Sequence, residues 1–154
     1  MKPINLKRLL ISIAIPLLVG GLASLLSGGF DVFSTAIKPP LSPPAWLFPV
    51  VWTILYILMG IAAYIVGDRT YRNTERAMTF YYAQLFVNFL WPIIFFRFEM
   101  FALAAIVLII LILLIIATMI EFHSINRTAA YLLIPYLLWC CFALYLNIAI
   151  AVLN

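Results

Sequence analysis

Trp52 and Trp139 sit at depths where an indole is costly to leave without a partner. Trp52 lies about 12 Å along an apolar helix opening near Pro44, and Trp139 lies near the middle of a later apolar run. Neither is at headgroup depth, so each N–H needs an acceptor, or each ring a flat partner. Helical i, i+4 steps set Trp52, Tyr56, Gly60 and Ala63 on one face. A second face carries Gln84, Asn88 and Trp91, and a third carries Trp139, Ala143 and Asn147. Small residues leave room, aromatics supply flat walls and amides supply a few directional hydrogen bonds. That mixture suits a pocket for a planar, largely apolar ligand. It equally suits helix–helix packing, in which small residues allow close approach and amides bond across the bundle. Residue types alone leave both readings open. Trp46 and Trp91 fall near helix ends, where an interfacial aromatic belt is a further reading.

Most other chemistry lacks its residues. His123 is the one histidine, and there is no His/Cys/Asp/Glu cluster with metal spacing, so no metal site is expected. Asp31, Asp68, Glu75, Glu99 and Glu121 stand at helix ends or in loops, which leaves no intramembrane carboxylate for a proton relay. No glycine-rich phosphate loop is present. Redox or light-driven chemistry on an absorbing ligand is what Trp and Tyr could still support. Cys140 and Cys141 are neighbours projecting about 100° apart, so they read as packing residues rather than a disulfide.

The elements that must position these residues are membrane spans. The chain is 154 residues long, 68% hydrophobic and 9% charged, whereas soluble domains are about 25% charged. So small a soluble fold could not hide that much apolar surface. About 20 helical residues cross the hydrocarbon. Segments 6–27, 44–66, 76–96, 99–122 and 129–153 qualify, giving an all-α membrane protein, a single domain over 1–154 built as a five-transmembrane-helix bundle. The apolar run from Leu9 to Leu26 exceeds the roughly 7–15 residues of a cleavable signal, so it reads as a retained first helix. The short later loops make consecutive helices antiparallel neighbours.

Basic residues set the expected orientation. Lys2, Lys7, Arg8, Arg69, Arg72, Arg76 and Arg127 lie on one side, and Lys38 and Arg97 on the other. That asymmetry puts the N-terminus in the cytoplasm and the C-terminus outside. The cations are scattered at span ends rather than massed, which is no nucleic-acid footprint. Loop 28–43 is long for a bundle and carries Pro39-Pro40 and Pro43-Pro44, so it can be stiff without being helical. It is placed to act as an outer lid.

Three ordered motifs are recognisable. The run Lys38-Pro39-Pro40-Leu41-Ser42-Pro43-Pro44-Ala45-Trp46 continuing to Trp52 and Tyr56 resembles the first-loop and second-helix motif of the TspO/MBR family, the tryptophan-rich sensory proteins related to the mitochondrial translocator protein. Gln84 to Trp91, then Pro135-Tyr136-Leu137-Leu138-Trp139 with Ala143 and Asn147, follow in matching order. The chain departs from the family at Val32-Phe33 and Leu41, where tryptophans are usual, and at Pro92, where a serine is usual. No Lys or Arg follows Tyr145, so the mammalian-type cholesterol motif is missing. The resemblance implies a homodimeric five-helix protein of the cell membrane that binds porphyrins such as protoporphyrin IX, with light-dependent oxidative degradation of the ligand as an activity of some relatives. Sensing and passage of apolar compounds across the bilayer are the rival roles. Carried over by position, the ligand site comprises Pro43, Trp46, Trp52, Tyr56, Asn88, Trp91, Trp139, Ala143 and Asn147, with Trp52 and Trp139 as the pair for photochemistry. Both rings are expected to face one hollow, a propionate is expected to reach Lys38 or Arg97, and no cofactor beyond the ligand is implied.

Overall fold

The computed structural model describes residues 2–29, 31–69 and 72–154. Met1, Phe30 of the first loop, Thr70 and Tyr71 lie outside the described residues, as does the side chain of Asp31. The described residues contain helices and no strands. Five stretches are long and apolar enough to cross a bilayer: Leu6–Ser27, Leu47–Gly67, Thr74–Arg97, Phe101–Ile125 and Arg127–Leu153. The chain is an integral membrane protein.

Each span begins or ends where local chemistry dictates. Helix α1 (Leu6–Ser27) is capped by Asn5, whose side chain accepts from the Arg8 N–H, and it ends at Gly28, left-handed at φ 80. A single turn, α2 (Asp31–Thr35), lies within the first loop. Helix α3 (Leu47–Gly67) starts three residues after Pro44, because Pro44 and Ala45 first accept i+3 bonds from Leu47 and Phe48. Helix α4 runs Thr74–Pro92 and continues as a π turn over Ile93–Arg97. Pro92 has no N–H to give the Asn88 carbonyl, and the ladder resets to an i+5 spacing in which Phe98 donates to Ile93. Helix α5 is Phe101–Ile125. The last span is two pieces, α6 (Arg127–Tyr131) and α7 (Ile134–Leu153). Pro135 cannot bond the Tyr131 carbonyl, so the chain turns at Leu132–Leu133 before resuming.

Helix α4 packs along α5, α1 along α3 and α5 along α7. Met59, Ala62, Val66, Ala77, Leu108, Ile115, Phe122 and Ile150 are fully buried at their contacts. Leu10, Leu18, Ile106, Leu113, Ile120 and Leu138 point outward, as lipid-facing side chains do. At one end of the bundle Arg8 pairs with Asp68 at 2.8 Å, and Arg76 pairs with Glu121. The opposite end carries the first loop. There the Asn154 side chain accepts from the Ile37 N–H (3.1 Å) and donates to the Ile37 carbonyl (3.0 Å). Tyr145 donates its hydroxyl to the Pro40 carbonyl at 2.8 Å, so the loop is fastened across the end of α7.

Candidate functional site

A cavity of about 260 Å³ opens between α1, α3 and α4 in the half of the bundle nearest the first loop. Helix α3 supplies Phe48, Trp52 and Tyr56, spaced four residues apart so that all three project the same way. Helix α4 supplies Asn88, Trp91 and Pro92, and α1 supplies Leu17, Gly20, Gly21, Ser24 and Ser27.

The aromatic wall is ordered by ring contacts. Trp52 stacks on Tyr56 with centroids 5.5 Å apart and planes 29° apart, and it meets the edge of Tyr136 at 6.1 Å. Trp91 stacks on Phe95 at 5.4 Å. Gly20 is why Tyr56 can lie so close to α1: a Cβ there would fall 2.2 Å from Cε2 of the Tyr56 ring.

Behind the wall runs a chain of satisfied polar groups. The Tyr56 hydroxyl donates to Asn88 Oδ1 (2.8 Å), Asn88 Nδ2 donates to the Tyr136 hydroxyl (2.7 Å), and Tyr136 donates to Gln84 Oε1 (2.7 Å). A second chain crosses three helices. Trp91 Nε1 donates to Asn147 Oδ1 at 2.9 Å, and Asn147 Nδ2 donates to the Phe101 carbonyl at 2.8 Å. Polar groups in hydrocarbon surroundings must be paired within the protein, so each chain holds its aromatic ring in one orientation.

The expected site residues divide into three groups. Trp52, Tyr56, Asn88 and Trp91 line the cavity together. Asn147 stands one hydrogen bond behind Trp91, and Ala143 is buried on α7 without lining the cavity. Pro43, Trp46 and Trp139 stand elsewhere: Pro43 is half-buried in the first loop, Trp46 is 66% exposed, and Trp139 lines a shallow groove between α3 and α7 with Ile54, Leu138 and Phe142. The two deep tryptophans therefore do not share a hollow. Phe48 separates them, lining the cavity while meeting Trp139 edge-on at 5.7 Å. Trp139 Nε1 is buried with no hydrogen-bond partner. The two cations expected near a propionate are also engaged: Lys38 Nζ sits 4.8 Å from the centre of the Phe33 ring, and Arg97 donates to the Leu26 carbonyl at 3.1 Å.

Residue patterns alone did not single out Gly20, Gly21, Ser24, Phe48 and Tyr136. Their traces are the small-residue spacing Gly20–Ser24 on the first helix, the four-residue step from Phe48 to Trp52, and the place of Tyr136 in the motif ending at Trp139.

The profile of the TspO/MBR family matches residues 12–153. The tryptophan-rich protein TspO of Chlorobaculum tepidum is 39% identical over 79% of this chain and 78% of its own length. The tryptophan-rich sensory protein of Cereibacter sphaeroides is 39% identical over 76% of this chain and 73% of its own. The translocator protein of Bos taurus is 33% identical over 77% and 72%, respectively.

Proposed function

We propose, from the premise that this chain belongs to the TspO/MBR family, that its cavity binds planar, largely apolar tetrapyrroles of the protoporphyrin IX class. The observation that carries the reading is the set of flat side chains around the cavity, the stacked Trp52–Tyr56 pair of α3 and Trp91 of α4, with Asn88 as a polar lining group and Gly21 and Ser24 on the open α1 side. Flat aromatic walls with few polar groups among them suit planar, largely apolar ligands. At about 260 Å³ the cavity is near the lower end for ligand pockets, so part of the macrocycle and its propionates extend into the mouth.

Light-driven oxidation of the bound porphyrin by dioxygen is the activity this arrangement supports. Trp52 gives an electron to the photoexcited ring, the ring anion passes it to dioxygen, and the Trp52 radical cation takes an electron back from the macrocycle. The superoxide formed combines with the oxidised macrocycle, so that porphyrin and dioxygen are the net reactants. Trp139 meets the cavity-lining Phe48 edge-on, which makes it a second donor in line. Ligand sensing without turnover is the rival reading, favoured by the sensory designation of the Cereibacter sphaeroides relative. The bovine relative's name favours translocation of an apolar compound. We place the protein in the cell membrane as a homodimer, N-terminus cytoplasmic and C-terminus outside, on the basic-residue asymmetry and the family resemblance.

Titration of the purified protein with protoporphyrin IX in darkness, read by tryptophan fluorescence, tests binding. Saturable quenching is expected, and unquenched emission at high ligand would refute it. Illumination of the saturated complex then separates the roles, since loss of porphyrin absorbance marks turnover and an unchanged spectrum marks sensing or transport.

A further inference from the structure

We infer that ligand reaches this cavity sideways from the hydrocarbon, through a window between α1 and α3, rather than from above under the first loop. The inference rests on the binding reading above and adds the route to it. None of the described first-loop residues lines the cavity. The loop lies instead across the end of α7, held by the Asn154 and Tyr145 side chains. The lining residues that are exposed are Gly21 and Ser24 of α1 with Pro49 and Thr53 of α3, two facing pairs that form a rim.

Depth decides what such a window faces. Gly21 lies six residues before the end of α1, and Thr53 lies six residues after the start of α3, about 9 Å inside the bundle at 1.5 Å per residue. The hydrocarbon half-thickness is about 15 Å, so this inner half of the rim meets acyl chains, while Ser24 and Pro49, three and two residues from their helix ends, stand nearer the headgroups. The Thr53 hydroxyl suits that position, because it already donates to the Pro49 carbonyl at 2.7 Å. The neighbouring α1 wall is thin because Gly20 and Gly21 carry no side chains. That wall is fixed below, where the α1 backbone at Ser12–Ile13 meets Gly60, and tied above by the bond from Arg97 to the Leu26 carbonyl. A flat amphiphile dissolved in the outer leaflet would meet this slot edge-on without crossing water.

Gly21→Phe tests the route, because nothing lies within 4 Å of a Cβ at that position, so a bulky side chain can be attached to the rim without a clash at its root. Thr53→Leu narrows the opposite rim as a second variant. Each is placed in lipid nanodiscs and mixed with protoporphyrin IX donated from vesicles, with tryptophan quenching followed in time. Association by Gly21→Phe should slow by about tenfold or more, within the span seen among variants of one binding site. Asn154→Ala with Tyr145→Phe, which releases the loop, should associate at the wild-type rate. Wild-type association in Gly21→Phe and Thr53→Leu, with faster association in the released-loop variant, would overturn the lateral route while leaving binding intact. Absence of saturable binding to the wild type would remove the binding reading and the route with it.

Discussion

Phe48 stands edge-on to Trp139, ring centroids 5.7 Å apart, while itself forming a wall of the cavity that contains Trp52. The two deep tryptophans are thus in series toward a bound ligand and not side by side. Replacing each by Phe should give unequal effects. Trp52→Phe removes an indole face from the cavity, weakening porphyrin affinity by about 1 kcal/mol, roughly fivefold, and abolishing most light-driven decay. Trp139→Phe should leave affinity in darkness unchanged and only slow the decay. Equal losses in dark affinity, measured by absorbance titration, would contradict the serial arrangement.

Gly20 and Gly21 are adjacent, yet a methyl group means different things at the two. At Gly20 it would fall 2.2 Å from Cε2 of Tyr56, and that ring is stacked on Trp52 and hydrogen-bonded to Asn88, so it can yield only by disturbing those contacts. At Gly21 nothing lies within 4 Å. Gly20→Ala should destabilise the protein by about 1–3 kcal/mol through overpacking and reduce porphyrin affinity as the Tyr56 ring tilts into the cavity. Gly21→Ala should be neutral or stabilising by up to about 1 kcal/mol through helix propensity. Thermal unfolding of both variants in the same detergent, followed by circular dichroism, makes the comparison.

The spans were legible because a run of apolar residues long enough to cross hydrocarbon has few other uses. What prolines do inside such runs was not legible. Pro16 sits within α1 without ending it, Pro92 is followed by a π turn, and Pro135 splits the last span in two. All three lack the same N–H; the neighbouring helices decide how each gap is closed. The site divides along similar lines. Trp52 and Tyr56 were found together, as were Asn88 and Trp91, because spacing fixes which residues share a face of one helix. Spacing says nothing about how that helix is rotated in the bundle, and the rotation of α7 is what turns Trp139 into a different recess. Gly20, Gly21 and Ser24 were missed because small residues on an apolar helix look the same whether they face a neighbour or a void.

Asn88 is the joint of the polar chain, accepting from Tyr56 and donating to Tyr136. Asn88→Leu keeps a side chain of similar length but takes away the acceptor of the Tyr56 hydroxyl and the donor to Tyr136. The expected cost is about 1–3 kcal/mol of stability, with loss of porphyrin affinity because Tyr56 no longer holds its stack against Trp52. Asn147→Leu strands Trp91 Nε1 instead and removes the bond to the Phe101 carbonyl. It should cost a comparable amount of stability while leaving the Trp52–Tyr56 stack untouched, so its affinity loss should be smaller. Unfolding midpoints and dark titrations on the two variants read the stability and the affinity separately.

Gly60 sets how near α1 can come to α3, and that contact bounds the cavity from below. A Cβ at Gly60 would lie 2.4 Å from the Cα of Ile13 and 2.7 Å from the Ser12 carbonyl oxygen. These are backbone atoms, so no rotamer change relieves the clash. The Ser12 carbonyl is also the one that Pro16 leaves without its helical donor, and it faces the Gly60 backbone at close range. Gly60→Ala must therefore push the helices apart along their whole contact, and the cost should reach about 3 kcal/mol, the upper part of the range for overpacked cores. Separation should also widen the opening between α1 and α3 at the cavity, so porphyrin should associate faster and bind more weakly. Gly67→Ala is the matched control, on the same helix and with nothing within 4 Å of its Cβ. A Gly60→Ala protein that unfolds at the wild-type temperature and binds with wild-type affinity would show that α1 and α3 do not touch there.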